Sequence, residues 1–589
     1  MSEYTAISFA PVQGFIEKSR KLRDLYGSSG ILSYLSHQLI QKAVEKLGDE
    51  SVISPGLINV QKGMPNRILI HGEFSRDEAK KTVLDAWQLV LNVCREWVEK
   101  KVPAKEKYHW EQEWIRWGLY SWEIFWGHGK DPEAAMKDLE TRKLRRDWTA
   151  INWMGESSSL TGTDAIAWTR LGLEDSNPGL RLTKEEKEEL DDFYNRLSRI
   201  LEDCPPDEEP KGKFLAPNER LSVPELVKRL VTRDAIAKET GAWIFLDFWC
   251  KWYRKIQNEL PVEAEKLDLW FMSLVYLLVY GKVGITKLEQ GFTEIHRNTR
   301  EGTGQWTGWF MGDGDEVGKK IKDIYRETKE QQGEEAAEAA LKYFTHAMRD
   351  WGKKFYDEFP NKNLGQVIYA GGDDFLGVIY SRDSKKSISP LQALDWLIAL
   401  PNQWKNLHDD LQNRLNIENH LNIDMTFSVG FVWAAPSVPQ RDILQHCREA
   451  EKRAKNLGRD RVTIRVVFNS GQYVQWTCPW DYLDILTKYC DRDGNTWGQN
   501  PNWTHIYNDW AQLKARHAIR LKEMEGIPIK KQIALAIFDL YFNDTGKTFS
   551  QERRWDDIAG GYTDVAIVNW INDLIQVGWQ LCQTNSSNS

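Results

Sequence analysis

Cysteine is scarce in this sequence, and the few cysteines are far apart. There are seven in 589 residues, an odd number, and no two of them form a C-x-x-C pair. This pattern excludes a disulfide framework and a cysteine-rich zinc site, and a reducing cytoplasm is the expected compartment.

The sequence also lacks a segment that could cross a membrane. Its most apolar run, Leu267–Val279, contains Asp268 and is shorter than the roughly 20 residues that span a bilayer. The first residues do not have the basic region followed by an apolar region that is typical of a secretory signal. We therefore expect no membrane partner.

There is no excess of positive charge either. The chain has 78 Lys and Arg against 86 Asp and Glu, a formal net charge of −8. This excludes binding of nucleic acid through bulk positive charge, so RNA or DNA contacts are expected only in local basic grooves. Hydrophobic residues make up 41% of the chain, as in ordinary globular proteins. At roughly 150 residues per domain, the length predicts about four domains.

Tryptophan, by contrast, is abundant. The 28 tryptophans include a group beside charged residues, at Trp110, Trp114, Trp117, Trp122 and Trp126. We interpret them as anchors that pack helices together, because a buried indole removes a large apolar area from water. Stacking on nucleic-acid bases is the alternative.

The N-terminal part predicts a small α/β unit followed by helices. Two strand-like stretches, 4–10 and 66–72, each precede a helical pattern, the second of which is Arg76–Glu99. The tryptophan-rich residues 105–148 are predicted to be helical. Proline and acidic residues make Glu202–Pro217 the clearest linker.

The second half has the βαββαβ order of a ferredoxin-like domain, with one further helix and strand. Palm-type nucleotidyl cyclases and polymerases are built on this arrangement. The predicted strands are Trp306–Met311, Gln366–Ala370, Phe375–Tyr380, Thr426–Val432 and Val462–Val467. The predicted helices are Val317–Tyr325, Leu391–Leu415 and Arg441–Leu457, and the chain is predicted to be helical again after Trp476.

Three carboxylates are expected to converge at one edge of this sheet. Asp313 follows the first strand, and Asp373 and Asp374 end the Gly-Gly-Asp-Asp turn that joins the second strand to the third. The first and third strands of such a sheet are antiparallel neighbours, so these ends meet. Carboxylates ~4 Å apart repel by roughly 1–4 kcal/mol per pair, which a divalent cation would relieve. Oxygen ligands favour Mg²⁺ or Mn²⁺, which can bind a triphosphate and activate a hydroxyl. The alternative is an ordinary hairpin turn.

Glycines and a basic helix strip are the candidate phosphate-binding groups. Gly371 and Gly372 leave room for a nucleotide at the turn, and Gly314 lies where free amides near a helix N-terminus would hold phosphate. Lys455 and Arg459 belong to a basic strip on the helix 441–457. They are expected to reach triphosphate oxygens from the side opposite the metal. A solvated helix face is the alternative for this strip.

Two further groups are interpreted as non-catalytic. The doublet His408-Asp409 lies within a helical pattern and has no partner histidines at metal-ligand spacing, so a solvated helix face is expected rather than a nuclease site. Ser157–Ser159 and Ser428 lack the histidine and aspartate that would indicate nucleophilic catalysis.

Motifs along most of the chain resemble one known family, the large palm-containing signature subunit of type III CRISPR effector complexes, a cyclic oligoadenylate synthetase. The similar segments are Ile7–Ile16 (ISFAPVQGFI), Arg20–Tyr34 (RKLRDLYGSSGILSY), Gly63–Arg67 (GMPNR), Glu219–Leu221 (ERL), Val227–Leu230 (VKRL), Asp313–Asp315 (DGD) with Gly318, Gly371–Asp374 (GGDD), Ser428–Gly430 (SVG) and Glu449–Asp460 (EAEKRAKNLGRD). They follow one another in the order of the family. The pattern Ala454-Lys455 with Gly458-Arg459 also resembles the phosphate-binding helix end of diguanylate cyclases.

The resemblance implies an α/β (α+β) fold with two ferredoxin-like palm domains of the nucleotidyl cyclase type, and helical domains between and after them. We place a non-catalytic palm with a tryptophan-rich helical insertion at 1–205 and a helical domain at 206–302. The catalytic palm is placed at 303–475, and a C-terminal helical domain at 476–589.

The resemblance also implies an activity, in which ATP is polymerised into 3′–5′-linked cyclic oligoadenylates when guide RNA pairs with target RNA. Other type III effector subunits would hold the RNA, and single-stranded DNA is a further expected partner. Mg²⁺ or Mn²⁺ and ATP are the expected cofactor and substrate. The residues that match the family's metal acids are Asp313, Asp373 and Asp374. Those expected to bind nucleotide are Gly314, Asp315, Gly371, Gly372, Lys455 and Arg459.

Two departures from the family pattern lead to expectations of absence. Many members begin with an HD nuclease domain, whereas this sequence starts at the first palm, so we expect no cleavage of single-stranded DNA by this chain. Many also carry zinc cysteines near the positions of Ser157–Thr163 and Ser222, where this sequence has none, so we expect no zinc. The subtype resembles III-B or III-D. A catalytically silent nucleotide-binding scaffold subunit and a free-standing nucleotide cyclase are the alternatives.

Overall fold

A computed structural model of the protein describes residues 3–56, 65–145, 155–173, 182–205, 207–210, 212, 214–232, 305–362, 364–381, 387–415, 425–523, 529–561 and 563–582. The chain divides into two compact units, Met1–Thr293 with Leu341–His346 and Glu294–Ala340 with Ala347–Ser589. Most of the helical domain expected at 206–302 lies outside the described residues. Within the described ranges, no helix is long and apolar enough to cross a membrane.

The first unit contains a four-stranded antiparallel sheet covered by helices. Its strands are β1 (Tyr4–Ala10), β2 (Val52–Ser54), β3 (Arg67–His71) and β4 (Glu123–Gly129). Its helices are α1 (Gln13–Glu17), α2 (Leu22–Leu47), α3 (Arg76–Lys101), α4 (Glu111–Tyr120), α5 (Pro132–Leu144), α6 (Lys184–Leu201) and α7 (Val223–Leu230). The strand order is β2-β3-β1-β4, with β1 antiparallel to both of its neighbours. The predicted N-terminal α/β unit is therefore confirmed.

The prediction of helix throughout 105–148 is wrong at β4. This strand pairs with the whole of β1, from Tyr4 opposite Gly129 to Ala10 opposite Glu123. Helix α5 packs so closely on it that a Cβ at Gly127 would lie 2.4 Å from the Leu139 backbone nitrogen. The glycines of β4 are thus explained by close helix packing, a reason that the spacing of nearby tryptophans does not reveal.

The tryptophans of this unit serve mainly in packing, as predicted. Trp87, Trp110 and Trp114 are among the largest fully buried side chains of the described residues. The Trp87 indole donates to the Trp117 carbonyl at 2.9 Å, and that of Trp110 donates to Glu99 Oε1 at 2.7 Å. Trp87 and Trp110 thus combine burial with a satisfied N–H, the arrangement expected of structural tryptophans.

A buried ionic network joins α7 to α2. Arg229 has no exposed surface and donates to both carboxylate oxygens of Asp24, at 2.8 and 2.9 Å, and to Glu219 at 2.6 Å. Burial alone would raise the pKa of Asp24, but the charge and hydrogen bonds of Arg229 lower it to about 2. The predicted boundary near residue 205 therefore does not separate two units, because the chain up to Thr232 packs with the first one.

The second unit is built on a six-stranded sheet. Its strands are β5 (Thr307–Gly314), β6 (Gly365–Ala370), β7 (Asp374–Ile379), β8 (Phe427–Ala434), β9 (Arg461–Val467) and β10 (Tyr473–Pro479). Its helices are α8 (Val317–Gln332), α9 (Glu334–Lys362, apart from Leu341–His346, which belong to the first unit), α10 (Pro390–Leu415), α11 (Gln440–Asn456), α12 (Thr504–Ala515), α13 (Lys531–Tyr541), α14 (Thr545–Gln551), α15 (Trp555–Ala559) and α16 (Asp564–Leu581). The strand order is β10-β9-β8-β5-β7-β6. The predicted ferredoxin-like core is confirmed, with β5 antiparallel to both β7 and β8.

Strand β10 corrects the predicted start of the C-terminal helices. It pairs along its whole length with β9, from Tyr473 opposite Val467 to Pro479 opposite Arg461. A domain boundary at 475 would cut this strand in two. The α16 indole of Trp570 donates to the Thr477 carbonyl at 3.0 Å, so the C-terminal helices are attached to the sheet through its edge strand. Helices do follow, as predicted, from Thr504 onward.

Candidate functional site

The sheet of the second unit brings the predicted acids together. Asp313, near the end of β5, lies directly opposite Asp374, the first residue of β7. Asp373 immediately precedes it in the turn, and its carbonyl accepts a hydrogen bond from the backbone of the β5 end at 2.9 Å. The three carboxylates therefore occupy one edge of the sheet, as the strand order predicts.

Crowding of these acids changes their protonation. Desolvation by surrounding atoms, reinforced by the charges of Asp373 and Asp313, raises the pKa of Asp374 to about 7. The residue nevertheless remains partly exposed to solvent. Desolvation also raises the pKa of Asp313, against the opposing effect of Lys455. Carboxylates that disfavour one another's charge in this way form a site to which a cation is attracted.

The Gly-Gly turn is held in place by an arginine that the sequence did not single out. Arg349 of α9 is buried and donates from Nη1 to the carbonyl oxygens of Ala370 and Gly371, at 3.1 and 3.0 Å. A Cβ at Gly371 would lie 2.5 Å from Asp374 Oδ1, whereas the Cβ position at Gly372 is open and its φ of +145° suits glycine. Any side chain at 371 would therefore displace an acid, while 372 leaves space above the turn.

Lys455 lies in a different place from the one expected. Its ammonium contacts Asp313 Oδ2 directly and lies 2.6 Å from Glu451 Oε1, so it faces the acids rather than the opposite side. The cause is the close packing of α11 on the sheet, since a Cβ at Gly430 would lie 2.1 Å from the Cys447 carbonyl. Glu451 was not predicted, although it precedes Lys455 by one helical turn.

Arg459 remains available at the end of α11. Its side chain is about half exposed, and its nearest ion-pair partner, Glu316 Oε1, is 3.7 Å away. Its backbone has φ +63° and its amide donates to the Ala454 carbonyl at 3.2 Å, which turns the chain sharply after Gly458. This position agrees with a guanidinium that can still bind an incoming anion.

Two predicted nucleotide-binding residues, Asp315 and Gly314, have contacts inside the protein. The Asp315 carboxylate is buried and accepts hydrogen bonds from Ser428 Oγ at 2.8 Å, Thr426 Oγ1 at 3.1 Å and the Asp460 amide at 3.0 Å. The Gly314 amide is also occupied, because it donates to the carbonyl of the turn. These contacts fix the end of β5, and nucleotide binding by the two residues stays a prediction.

Two other polar groups have local explanations. His408 Nδ1 accepts a hydrogen bond from the Met425 amide at 3.2 Å, so the doublet helps to anchor α10 rather than only facing solvent.

Asp491, Asp493 and His505 lie close enough to hold a metal ion. However, Asp491 already accepts three backbone hydrogen bonds, the shortest at 2.7 Å from Asn502. That arrangement is typical of a loop-stabilising aspartate.

Comparison with known families assigns both units. Residues 4–92 match the N-terminal domain of the CRISPR-associated protein Cmr2, and residues 307–463 match the second palm domain of Cas10/Cmr2. Both matched segments are similar to domains of the Cas10/Cmr2 family. The second match contains the whole acidic edge, from Asp313 to Lys455, so the site lies in the segment that matches the second palm domain.

Individual relatives are more distant or match only a short segment. The Cmr2 subunit of the CRISPR system Cmr from Pyrococcus furiosus is 47% identical over 51 residues, which is 9% of this chain and only 6% of the relative. A type III-B Cmr-beta complex in its apo state has a chain that aligns with 92% of this one at 12% identity, with a TM-score of 0.45 and 77% of that chain covered. A Csm1–Csm4 cassette in complex with cA3 aligns with 99% at 13% identity, with a TM-score of 0.41 and 70% covered.

Proposed function

We propose that this chain is the nucleotidyltransferase subunit of a type III CRISPR complex and converts ATP into cyclic oligoadenylates when target RNA pairs with the guide. The observation that carries the proposal is the register pair Asp313–Asp374 with Asp373 beside it, inside the matched palm segment. Other effector subunits, guide RNA, target RNA and single-stranded DNA are the proposed partners, and the cytoplasm is the proposed location.

The residues at this edge fit a divalent cation. Three carboxylates lie together, and desolvation with their mutual repulsion raises the pKa of Asp374 to about 7, a repulsion that a bound cation would offset. All candidate ligands are oxygens, which suits Mg²⁺ or Mn²⁺. Asp313, Asp373 and Asp374 would hold the ion. When bound, it would supply charge neutralisation for a triphosphate and a lower pKa for an attacking hydroxyl.

The chain's own residues would bind and orient the nucleotide. The open space over Gly372 admits a nucleotide next to the acids, and Arg349 keeps the turn rigid beneath it. The exposed guanidinium of Arg459 is placed to bind phosphate oxygens in a bidentate manner. Such positioning of a 3′-hydroxyl against an α-phosphate accounts for much of the rate in reactions of this type.

The two alternatives predict different products. A catalytically silent scaffold would bind ATP without turnover, but it has no need for a crowded carboxylate cluster. A free-standing cyclase would make its product without RNA. Neither alternative is favoured by a particular contact in the described residues.

The test is to incubate the purified complex with ATP, Mg²⁺ and RNA complementary to the guide, and to identify the products by mass. The proposal expects cyclic oligoadenylate only with complementary RNA. No product under any condition would support the scaffold, and a product formed by the isolated chain without RNA would support the free-standing cyclase.

A further inference from the structure

The most unusual contact of the acidic edge is the lysine inside it. Lys455 Nζ contacts Asp313 Oδ2 and lies 2.6 Å from Glu451 Oε1, so one ammonium bridges a proposed metal ligand and an acid that the metal site does not use. The Lys455 and Asp313 side chains are 29% and 34% exposed, so both groups are accessible from solvent.

The ammonium and a metal ion compete for the same oxygen. A divalent ion bound to this carboxylate would lie next to the ammonium and be repelled by it, so binding of the ion favours movement of the ammonium away from Asp313. Helix α11 is fixed against the sheet at Gly430, where the approach leaves no room for a Cβ. The helix is therefore closely packed on the sheet, and the flexible lysine side chain is the part that can move most easily.

Glu451 offers the lysine a second place to bind. It lies one helical turn before Lys455 on α11, only 13% of its side chain is exposed, and its carboxylate already touches the ammonium. A rotation of the lysine away from Asp313 would leave this second ion pair in place. The cost of releasing Asp313 is thereby reduced, because the ammonium is never left without an anionic partner.

We propose that Lys455 is a tethered cation that occupies Asp313 in the absence of metal, and that Glu451 is a positioning residue that retains the lysine when a divalent ion takes its place. This inference rests on the proposed function for the identity of the metal ligands. It adds a competition between the lysine and the ion, so the occupancy of the metal site depends on where the lysine lies.

The test measures metal binding without turnover. Mn²⁺ binding to the full-length, nucleotide-free chain is followed by electron paramagnetic resonance for the wild type, Lys455→Met and Lys455→Arg. Lys455→Met should bind Mn²⁺ about tenfold more tightly, since a nearby positive charge is removed, whereas Lys455→Arg should stay near the wild type. Lys452→Met is the matched control, because it removes the same charge from an exposed position on the same helix. It should change the affinity less than twofold. Equal affinities for Lys455→Met and Lys452→Met would overturn the competition.

The role of Glu451 is tested by a double-mutant cycle. Glu451→Gln removes a negative charge and so weakens Mn²⁺ binding somewhat in any background. We expect a clearly larger loss of Mn²⁺ affinity when Lys455 is present than in the Lys455→Met background. Without Glu451, the ammonium of Lys455 has only Asp313 as its ion-pair partner and competes with the metal there. Equal losses in both backgrounds would overturn the positioning role.

A third variant separates this inference from the proposed function. Asp313→Asn should abolish most Mn²⁺ binding at the edge. If it does not, or if no variant binds Mn²⁺, the metal site is wrong and the lysine inference fails with it. If Asp313→Asn abolishes binding while Lys455→Met leaves it unchanged, the lysine inference alone is wrong.

Discussion

Four strands of the six-stranded sheet repeat the strand order of the four-stranded sheet. The two sheets nevertheless carry opposite charge at the same edge. β2-β3-β1-β4 and β6-β7-β5-β8 have equivalent topology and antiparallel pairing. In the first, Ser8 lies opposite Arg67, and in the second, Asp313 lies opposite Asp374. Each pair joins the first residue of the hairpin's second strand to a residue near the end of the central strand. Topology therefore provides the place, and a few side chains decide what binds there.

A lysine lies at each edge, but with different neighbours. Lys143 donates to Ser8 Oγ at 2.9 Å, and burial together with the charge of Arg67 lowers its pKa to about 8. Lys455 contacts Asp313, where desolvation of the lysine is outweighed by the two acids and its pKa is raised. The first edge has a surplus of positive charge and the second a surplus of negative charge, so only the second fits a divalent cation.

The largest effect on activity is expected when the acids are neutralised. The double variant Asp373→Asn with Asp374→Asn should reduce cyclic oligoadenylate formation by about a thousandfold or more, because amides keep the shape of the ligands but bind metal poorly. Asp313→Asn should have the same effect. The measurement is the rate of product formation by the assembled complex with target RNA.

Asp410→Asn is the matched control for the acids. Asp410 lies on α10 and pairs with Arg414 at 3.3 Å, away from the acidic edge, so its loss should leave the rate within about twofold of the wild type. Assembly and RNA binding should persist in all these variants. Full activity in the double variant would show that the proposed three-acid site is wrong.

The basic groups at the acidic edge should affect substrate binding more than assembly. Arg459→Ala should raise the KM for ATP by about tenfold, since the change removes a cation expected to contact phosphate. Lys452→Ala provides an exposed control on the same helix. Unchanged kinetics for Arg459→Ala would mean that the strip is only a solvated helix face.

The sequence allowed the acidic edge to be predicted because its logic is topological. Once the βαββαβ order was recognised, Asp313 and the Gly-Gly-Asp-Asp turn had to meet. Arg349 and Glu451 could not be predicted in this way, because their contacts depend on how α9 and α11 pack on the sheet. Asp315 could not be distinguished from a ligand by residue type, since only the structure reveals its three internal donors.

The two misassigned strands differ in how they join their sheets. β4 adds to the sheet beside β1, a partner far away in the sequence, whereas β10 forms a hairpin with β9, the strand just before it. In β4 the glycines that weaken a strand pattern are required by the approach of α5. This requirement of β4 is not visible in a local window of sequence.

The crowded acids also predict a pH-dependent stability in metal-free protein. The pKa of Asp374 is raised to about 7, so its ionised form is disfavoured in the folded state. The resulting destabilisation is absent below the ordinary aspartate pKa near 4 and fully present above about pH 7. Asp374→Asn should therefore raise the Tm at pH 8 in EDTA, by a few degrees at most because the side chain is partly exposed. The gain should shrink steadily towards pH 4, and a gain that is independent of pH would contradict the crowding.

The smallest effect is expected when the first unit is tested for a bound metal. At the positions where zinc cysteines were considered, Thr161 and Ser158 donate to Glu225 Oε1 at 2.7 and 3.2 Å, and the Ser222 amide donates to Glu225 Oε2 at 2.8 Å. These groups bind one another and offer neither the thiolates nor the imidazoles that zinc prefers. Elemental analysis of the isolated chain should therefore find no stoichiometric zinc, and a strong zinc chelator should leave its Tm unchanged. About one zinc per chain, or a chelator-dependent loss of stability, would contradict this.

Glu225→Ala should lower the Tm instead, since it leaves the buried amide and hydroxyl donors without their acceptor, and added zinc should not restore the Tm.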